Sequence, residues 1–297
     1  MQLLRLKTAL GILISLFLYS FSSFAGNSSS IQIKGSDTMV NLGQSWAEEF
    51  MTEHPSASVA VTGGGSGTGI AALINGTCDI AQSSRSIEAK ERDLAKQKGL
   101  NVQEIVVAND AIVMVAHPDN PVQGLTIDQL SDIFTGKIKN WKEVGGKDAA
   151  ILVLSRERNS GTHVFVLEAV VRKGNPNGPE EFAPTVLMMP SSQAIEQEVA
   201  GNQTAIGYFG LGYLSPKVKA FGVFQNQKGT FVKPSVESVL DRSYPIHRSL
   251  LFYLPREPEG TVKEFVNFVL SERGQEIVLE MKFVPTLAKD SPRSPKS

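Results

Sequence analysis

The sequence is short of cysteine, of histidine and of basic charge in excess, and each shortage excludes something. One cysteine in 297 residues, Cys78, permits no intrachain disulfide, so packing has to stabilise the fold. Cys78 lies in the strand-like run TCDIAQ and reads as a buried structural thiol rather than a reactive one. The four histidines, His54, His117, His163 and His247, are too scattered for a metal cluster, and none sits at zinc-site spacing from carboxylates. Twenty-nine Lys and Arg against 30 Asp and Glu lack the basic surplus of a nucleic-acid binder. Long apolar runs are missing too. The longest, Ala9–Tyr19, is about half of the roughly 20 residues that a membrane-spanning helix needs.

That run follows Arg5 and Lys7 and leads into small residues ending at Ser23 and Ala25, the three-part pattern of a secretory signal peptide. The expectation is export to the periplasm with 1–25 removed, and no cysteine stands at the cleavage point to take a lipid. Removal leaves 27 basic and 30 acidic side chains, a net charge of −3. The remaining chain is long enough to bury a large core in one or two domains.

What is present is an alternation. Short β-branched runs at Ile31–Lys34, Val59–Thr62, Cys78–Gln82, Ile105–Ala108, Ile112–Ala116, Ile151–Leu154 and Thr204–Phe209 alternate with helical patterns, the rhythm of an α/β protein. Leu42, Trp46 and Phe50 recur at four-residue spacing and stop before Pro55, which predicts an amphipathic helix. Thr126 with Gln129, and Thr261 with Glu264, have capping-box spacing. Val262, Phe265, Val266 and Val269 share one face of the last long helix. Arg172–Pro184, rich in Gly, Pro and Asn, reads as a loop inside the second half rather than a linker. Ser28–Ser30 and Ser291–Ser297 read as solvated ends.

The chemistry gathers in four loops that follow strands. After Ile31–Lys34 come Gly35, Ser36, Asp37, Thr38 and Met39, leading into the Trp46 helix. Small polar residues at such a handover leave first-turn amides unpaired at the positive end of the helix dipole, a ready anion site. Taken alone, the same residues read better as an ordinary N-cap. After Val59–Thr62 stand five glycines in seven residues, Gly63 to Gly69, around Ser66, then a short helix Ile70–Ile74. Such a backbone can approach a ligand closely. No Walker loop or GxGxxG register fits it. The third loop carries Ser83, Ser84, Arg85 and Ser86. The fourth runs from Ser155 and Arg156 to Ser160, Gly161 and Thr162 and opens another helix, placing a planar five-donor guanidinium near free amides and hydroxyls.

With these residues in hand, the chain resembles the phosphate-binding component of bacterial phosphate ABC transporters. The similarity runs through GSDTM, GGGSGTG, DIAQSSR, LTIDQLSDIFTGKIKNWKEVGG, RERNSGT, AIGY, YPIHRSL and FVNFVLSERGQEIV, in that order. The resemblance implies a type II periplasmic-binding fold, two α/β lobes with a ligand cleft joined by two crossing strands near Ala108–Val115 and Tyr244–Tyr253. The lobes would be 26–112 plus 246–297, and 113–245. It implies ligation of inorganic phosphate by Ser36, Thr38, Met39, Ser66 and Gly67 from the first lobe and by Arg156, Ser160, Gly161 and Thr162 from the second. Many members place an acceptor aspartate in the third loop, where this chain has Ser84; Arg85 after it would add a second cation. Asp37 is the alternative acceptor.

The same resemblance implies a monomer that hands its ligand to permease subunits in the inner membrane, with no cofactor, no metal, no nucleic acid and no catalysis. Three other readings share some of these residues. A hydrolase using Ser160 or Ser66 lacks GxSxG and an evident carboxylate beside His163. A sensor or surface protein would use phosphate as a signal. A sulfate, molybdate or phosphonate binder would share the donors.

Overall fold

A computed structural model describes residues 29–224 and 230–286. The signal-peptide segment and the serine-rich tail expected above lie outside the described residues.

The chain forms a mixed α/β structure. Strands β1 (Ser29–Gly35), β2 (Ala57–Thr62) and β3 (Ile80–Ser83) alternate with helices α1 (Val40–Glu53), α2 (Ser66–Ile74) and α3 (Ala89–Gln97). Strand β4 (Gln103–Ala116) then leaves this half, and β5 (Gly124–Thr126), α4 (Ile127–Phe134), β6 (Leu152–Arg156) and α5 (Gly161–Val166) begin the other. That half continues with β7 (Leu187–Met189), α6 (Ser192–Gly201), β8 (Ala205–Gly210), β9 (Lys219–Ala220), β10 (Gly222–Phe224), β11 (Phe231–Val232) and α7 (Val236–Leu240). Strand β12 (His247–Leu254) returns to the first half, closed by α8 (Gly260–Leu270) and α9 (Glu272–Glu280).

The main sheet runs β2-β1-β3-β12-β4-β8-β6-β7, with β9 on β4. Its two central members are the crossing strands, antiparallel to each other from His247 opposite Ala111 to Leu254 opposite Gln103, with an irregularity at Leu250/Leu251. The core divides on either side of them. Ile31, Trp46, Phe50, Leu250, Phe252 and Phe265 belong to one buried cluster, and Ile112–Val115, Leu154, Ile206, Tyr208 and Phe209 to another. A smaller cluster under α2 contains Cys78, whose thiol burial pushes up to about 11. It stays protonated at neutral pH, as a packing residue should.

Local chemistry explains most of the elements. The Trp46 side chain is fully buried and its indole donates to Gly274 O at 2.8 Å, tying α1 to α9. Thr126 and Gln129 form the expected capping box. The second expected box does not form: α8 starts at Gly260, so Thr261 is already inside the helix, although Phe265, Val266 and Val269 are buried as their spacing predicts. The runs Ile105–Ala108 and Ile112–Ala116 are one continuous strand, because Asn109 and Asp110 between them pair with Ser249 and Arg248 of β12.

Candidate functional site

Strand β1 ends at Gly35, whose φ of 140° and contact with the Gln82 backbone leave no room for a side chain. A Cβ there is strained as well as blocked. The turn points Ser36, Asp37 and Thr38 along the seam between the halves. On the other side β6 ends at Arg156, and the chain turns through Ser160 into α5. The Ser160 hydroxyl accepts from the Thr162 and His163 amides at 3.2 and 3.4 Å, an N-cap geometry that leaves its proton for another acceptor.

These loops meet in one place. Thr38 Oγ1 lies 2.9 Å from Thr162 Oγ1, which joins the halves directly. The Ser36 hydroxyl donates to Ser84 Oγ at 2.9 Å, Ser84 Oγ lies 3.3 Å from Ser66 Oγ, and the Ser84 amide donates to Ser66 Oγ at 3.0 Å. A methyl on Gly161 would collide with Ser66 Oγ and Ser84 Oγ, so the start of α5 rests on those hydroxyls with no spacer. Ser36, Thr38, Ser66, Ser84, Ser160, Thr162 and Arg156 are each at most 3 % exposed. Buried hydroxyls at this density make a cluster of donors in direct contact, the kind of group that can replace water around a small anion.

The glycine loop works by backbone. Helix α2 starts at Ser66, four residues earlier than its apolar pattern predicts. The Gly67 amide donates to Asn159 O at 3.0 Å, and the Asn159 side-chain amide donates to Gly64 O at 2.7 Å. Met39 contributes packing: its side chain is fully buried in the first core and its amide turns back onto Ser36 O at 3.1 Å.

Arg156 is nearly fully buried. Its Nη1 donates to Asp37 Oδ2 at 2.9 Å and to Ser192 Oγ at 3.1 Å, while Nη2 donates to Pro190 O and Nε to Met189 O. Asp37 Oδ2 also accepts from the Ser192 amide and hydroxyl, and Tyr213 donates to Asp37 O at 2.9 Å. Asp37 is thus a bridge between the halves, its side-chain contacts to the second half all falling on Oδ2.

Arg85 departs from expectation. Its guanidinium makes a two-pronged pair with Glu91 at 2.7 and 2.7 Å, donates to Ser86 O, and lies 3.5 Å from Glu88. Its charge is neutralised by α3 rather than offered to the cleft, because Glu88 and Glu91 form the capping box that starts that helix.

The second cation beside the hydroxyls is instead Arg248. Its Nε and Nη2 donate to Asp110 Oδ2 at 3.1 and 2.9 Å, Nη1 donates to Ser84 O at 3.0 Å, and Nη2 reaches Thr38 Oγ1 at 3.4 Å. Asp110 is fully buried and also accepts from the Leu211 amide at 2.9 Å. Burial pushes the Asp110 carboxyl up and the Arg248 guanidinium down, each opposed by the other's charge. His163, stacked on Phe182 and 3.0 Å from Ser155 Oγ, is held down at about 4 by burial and is neutral near pH 7. Ser155 and Tyr208, not a carboxylate, orient its ring. Among the described residues no group of three or more His, Cys, Asp or Glu stands close enough to hold a metal ion.

Comparison with known proteins fits this geometry. Residues 22–273 match the model of the PBP superfamily domain. The phosphate-binding protein PstS of Pseudomonas aeruginosa is 30% identical over 285 residues, covering 90% of this chain and 85% of that protein. PstS of Bacillus subtilis is 34% identical over 264 residues, covering 87% and 81%. Among solved structures, a phosphate ABC transporter substrate-binding protein from Clostridium perfringens, with phosphate bound, superposes with a TM-score of 0.78 at 35% identity, covering 87% of this chain and 100% of that one. An ABC-type phosphate transport receptor from Vibrio cholerae superposes with a TM-score of 0.69 at 29% identity, with 87% and 100% covered. With two α/β lobes joined by β4 and β12 and the polar loops of both meeting between them, the chain belongs to the PBP superfamily, among the substrate-binding proteins of phosphate ABC transporters.

Proposed function

We propose that this protein captures inorganic phosphate between its lobes in the periplasm and delivers it to the permease subunits of an ABC transporter, as a monomer and without chemistry on the ligand. The moving units would be 26–112 plus 246–297 against 113–245. The observation that carries this reading is the direct meeting of donors from both lobes: Thr38 with Thr162, Ser66 and Ser84 against Gly161, and Arg156 beside Thr38's neighbour Asp37. Ser36, Thr38, Ser66 and Ser84 would line one wall and Arg156, Ser160, Gly161 and Thr162 the other, whereas Met39 supports the first wall from the core and the Gly67 amide is taken by Asn159 O.

The mechanism follows from the division of donors. A dianion loses a large hydration energy when buried and needs fixed donors in exchange. Hydrogen bonds to a charged group contribute roughly 1.5–3 kcal/mol each, and desolvation and ordering take back much of the sum. Each lobe supplies only part of the set, so the anion interacts best with the closed form and shifts the hinge equilibrium toward it. A permease can then read closure rather than phosphate itself. Export is supported by the Arg5–Ala25 pattern, and no helix among the described residues is long and apolar enough to cross a membrane.

Thermal melting of the mature chain against phosphate, arsenate, sulfate, molybdate and phosphonates tests the assignment. Phosphate should raise the midpoint in a concentration-dependent way. A shift with sulfate or molybdate and none with phosphate would replace it.

A further inference from the structure

The second cationic group at the hydroxyl cluster comes from neither lobe's loops. Arg248 lies on β12 directly opposite Asp110 on β4, so its guanidinium is anchored where the crossing strands pair. A guanidinium has five N–H donors. Asp110 takes two, Ser84 O one and Thr38 Oγ1 one, at 3.4 Å, which leaves a fifth N–H, on Nη1, and one long contact, to Thr38. The guanidinium carbon lies 5.6 Å from the centre of the Phe165 ring of α5. Arg248 therefore touches the first lobe through Ser84 and Thr38, the hinge through Asp110 and the second lobe through Phe165, while remaining only 6 % exposed.

Two further facts point toward an anion. Arg85, the other candidate cation, is held by two carboxylates, Glu91 at 2.7 Å and Glu88 at 3.5 Å, whereas Arg248 pairs with one, Asp110. Burial is the main cause that pushes the Arg248 guanidinium down, and the charge of Arg156 adds to it as a repulsion between two cations near the same hydroxyls. An anion set between like charges turns that repulsion into attraction.

We propose that Arg248, held by Asp110, is a second guanidinium of the anion site, mounted on the hinge, and that it directs the site toward doubly charged oxyanions. This rests on the phosphate reading above. On opening, Arg156 would leave with the second lobe, whereas Arg248 stays with Thr38 and Ser84. The incoming dianion would then meet Arg248 first and Arg156 on closure.

The test is calorimetry with inorganic phosphate on either side of its second ionisation, using the mature chain and the variants Arg248→Lys and Asp110→Asn/Arg248→Gln. The double variant replaces the ion pair by two amides that can still bond to each other, so the hinge is not left with an unpaired charge. Losing one charge-assisted hydrogen bond should weaken phosphate binding roughly tenfold to a hundredfold. The loss should be larger for the dianion than for the monoanion, with the lysine variant between the double variant and the unaltered chain. A double variant that melts like the unaltered chain and keeps its affinity and dianion preference would reduce the pair to a hinge support. Failure of the unaltered chain to bind phosphate would overturn the proposed function, a different result from equal binding by all three.

Discussion

Two arginine–aspartate pairs flank the hydroxyl cluster with nearly the same contact and opposite settings. Arg156 reaches Asp37 at 2.9 Å, and Arg248 reaches Asp110 at 2.9 Å. Asp37 is 20% exposed at the side chain and its partner belongs to the opposite lobe, whereas Asp110 is fully buried and its partner is the adjacent strand. On the proposed closure, a contact across the seam has to be tolerable both open and shut, so it stays near water. A contact within paired strands never opens in the folded protein and can be buried, provided that both charges are satisfied. Distance alone would have called the two pairs equivalent; where the partners sit decides what each can do.

The largest effect should come from breaking the hinge pair on one side only. Asp110→Ala leaves the Arg248 guanidinium buried with no carboxylate, and removing one partner of a buried pair typically costs about 3–5 kcal/mol. Urea denaturation should show that loss, and a loss below about 1 kcal/mol, the range of exposed pairs, would mean that the hinge pair is not the more deeply committed of the two. Next is Arg156→Ala, which should cost several kcal/mol of phosphate binding, since a charge-assisted fork is lost from the closed form. Its stability should fall less than that of Asp110→Ala, because Asp37 can turn to water. Unchanged phosphate affinity by calorimetry would remove Arg156 from the site.

How much of this was open to a reader of the sequence depends on whether the signal is local. The strand-to-helix handovers at Ser36, Ser66 and Ser160 are local, because small polar residues ahead of an apolar period mark a helix start, and the structure brings them together. Arg156 stands in the same local pattern, at the end of β6 four residues before Ser160. Arg85 misled, although the correcting signal stood three and six residues on, in Glu88 and Glu91, whose capping box turns them toward it. Asp110 and Arg248 were missed because each lies inside a strand and meets its partner 138 residues away. A trace of them was there: a lone acid inside the apolar stretch from Ile105 to Ala116 and a lone base ahead of LLFYL. A charge that interrupts a buried strand demands a partner, and two such charges of opposite sign on the two crossing strands were each other's obvious candidates. The unbroken β4 was hidden by the same residues, since Asn109 and Asp110 look like a turn until Arg248 and Ser249 are placed opposite them.

A smaller test asks whether the second-lobe wall carries one cation or two. His163 follows Thr162 directly, and a charged imidazole there would blur the contrast between the pairs. Burial holds its pKa at about 4, below the usual value of about 6.5. As pH falls through 6.5 the unfolded chain takes up a proton that the folded chain refuses until near 4. Stability present above 6.5 is therefore lost progressively across that interval, by about 3 kcal/mol in all, and no further below it. His163→Gln should flatten this part of the stability profile measured by denaturation from neutral pH to 4. A profile with the same slope would place the titrating group elsewhere.

The smallest expected effect concerns the pair at the seam. Asp37 Oδ2 collects Arg156 Nη1, the Ser192 amide and the Ser192 hydroxyl, all from the second lobe. None of these contacts requires a ligand, so they favour closure even without phosphate. Asp37→Asn keeps an oxygen for the Ser192 donors but removes the charge facing Arg156. A partly exposed ion pair contributes about 1 kcal/mol at most, which sets the cost of the change. The ligand-free closed population should then fall about fivefold, read as a larger radius of gyration by small-angle scattering, while saturating phosphate restores the compact form. The matching change at the hinge should leave the ligand-free radius alone, because Asp110 and Arg248 stay together whether the lobes are open or shut. If Asp37→Asn left the ligand-free scattering unchanged, the seam pair would be a consequence of closure and not one of its causes.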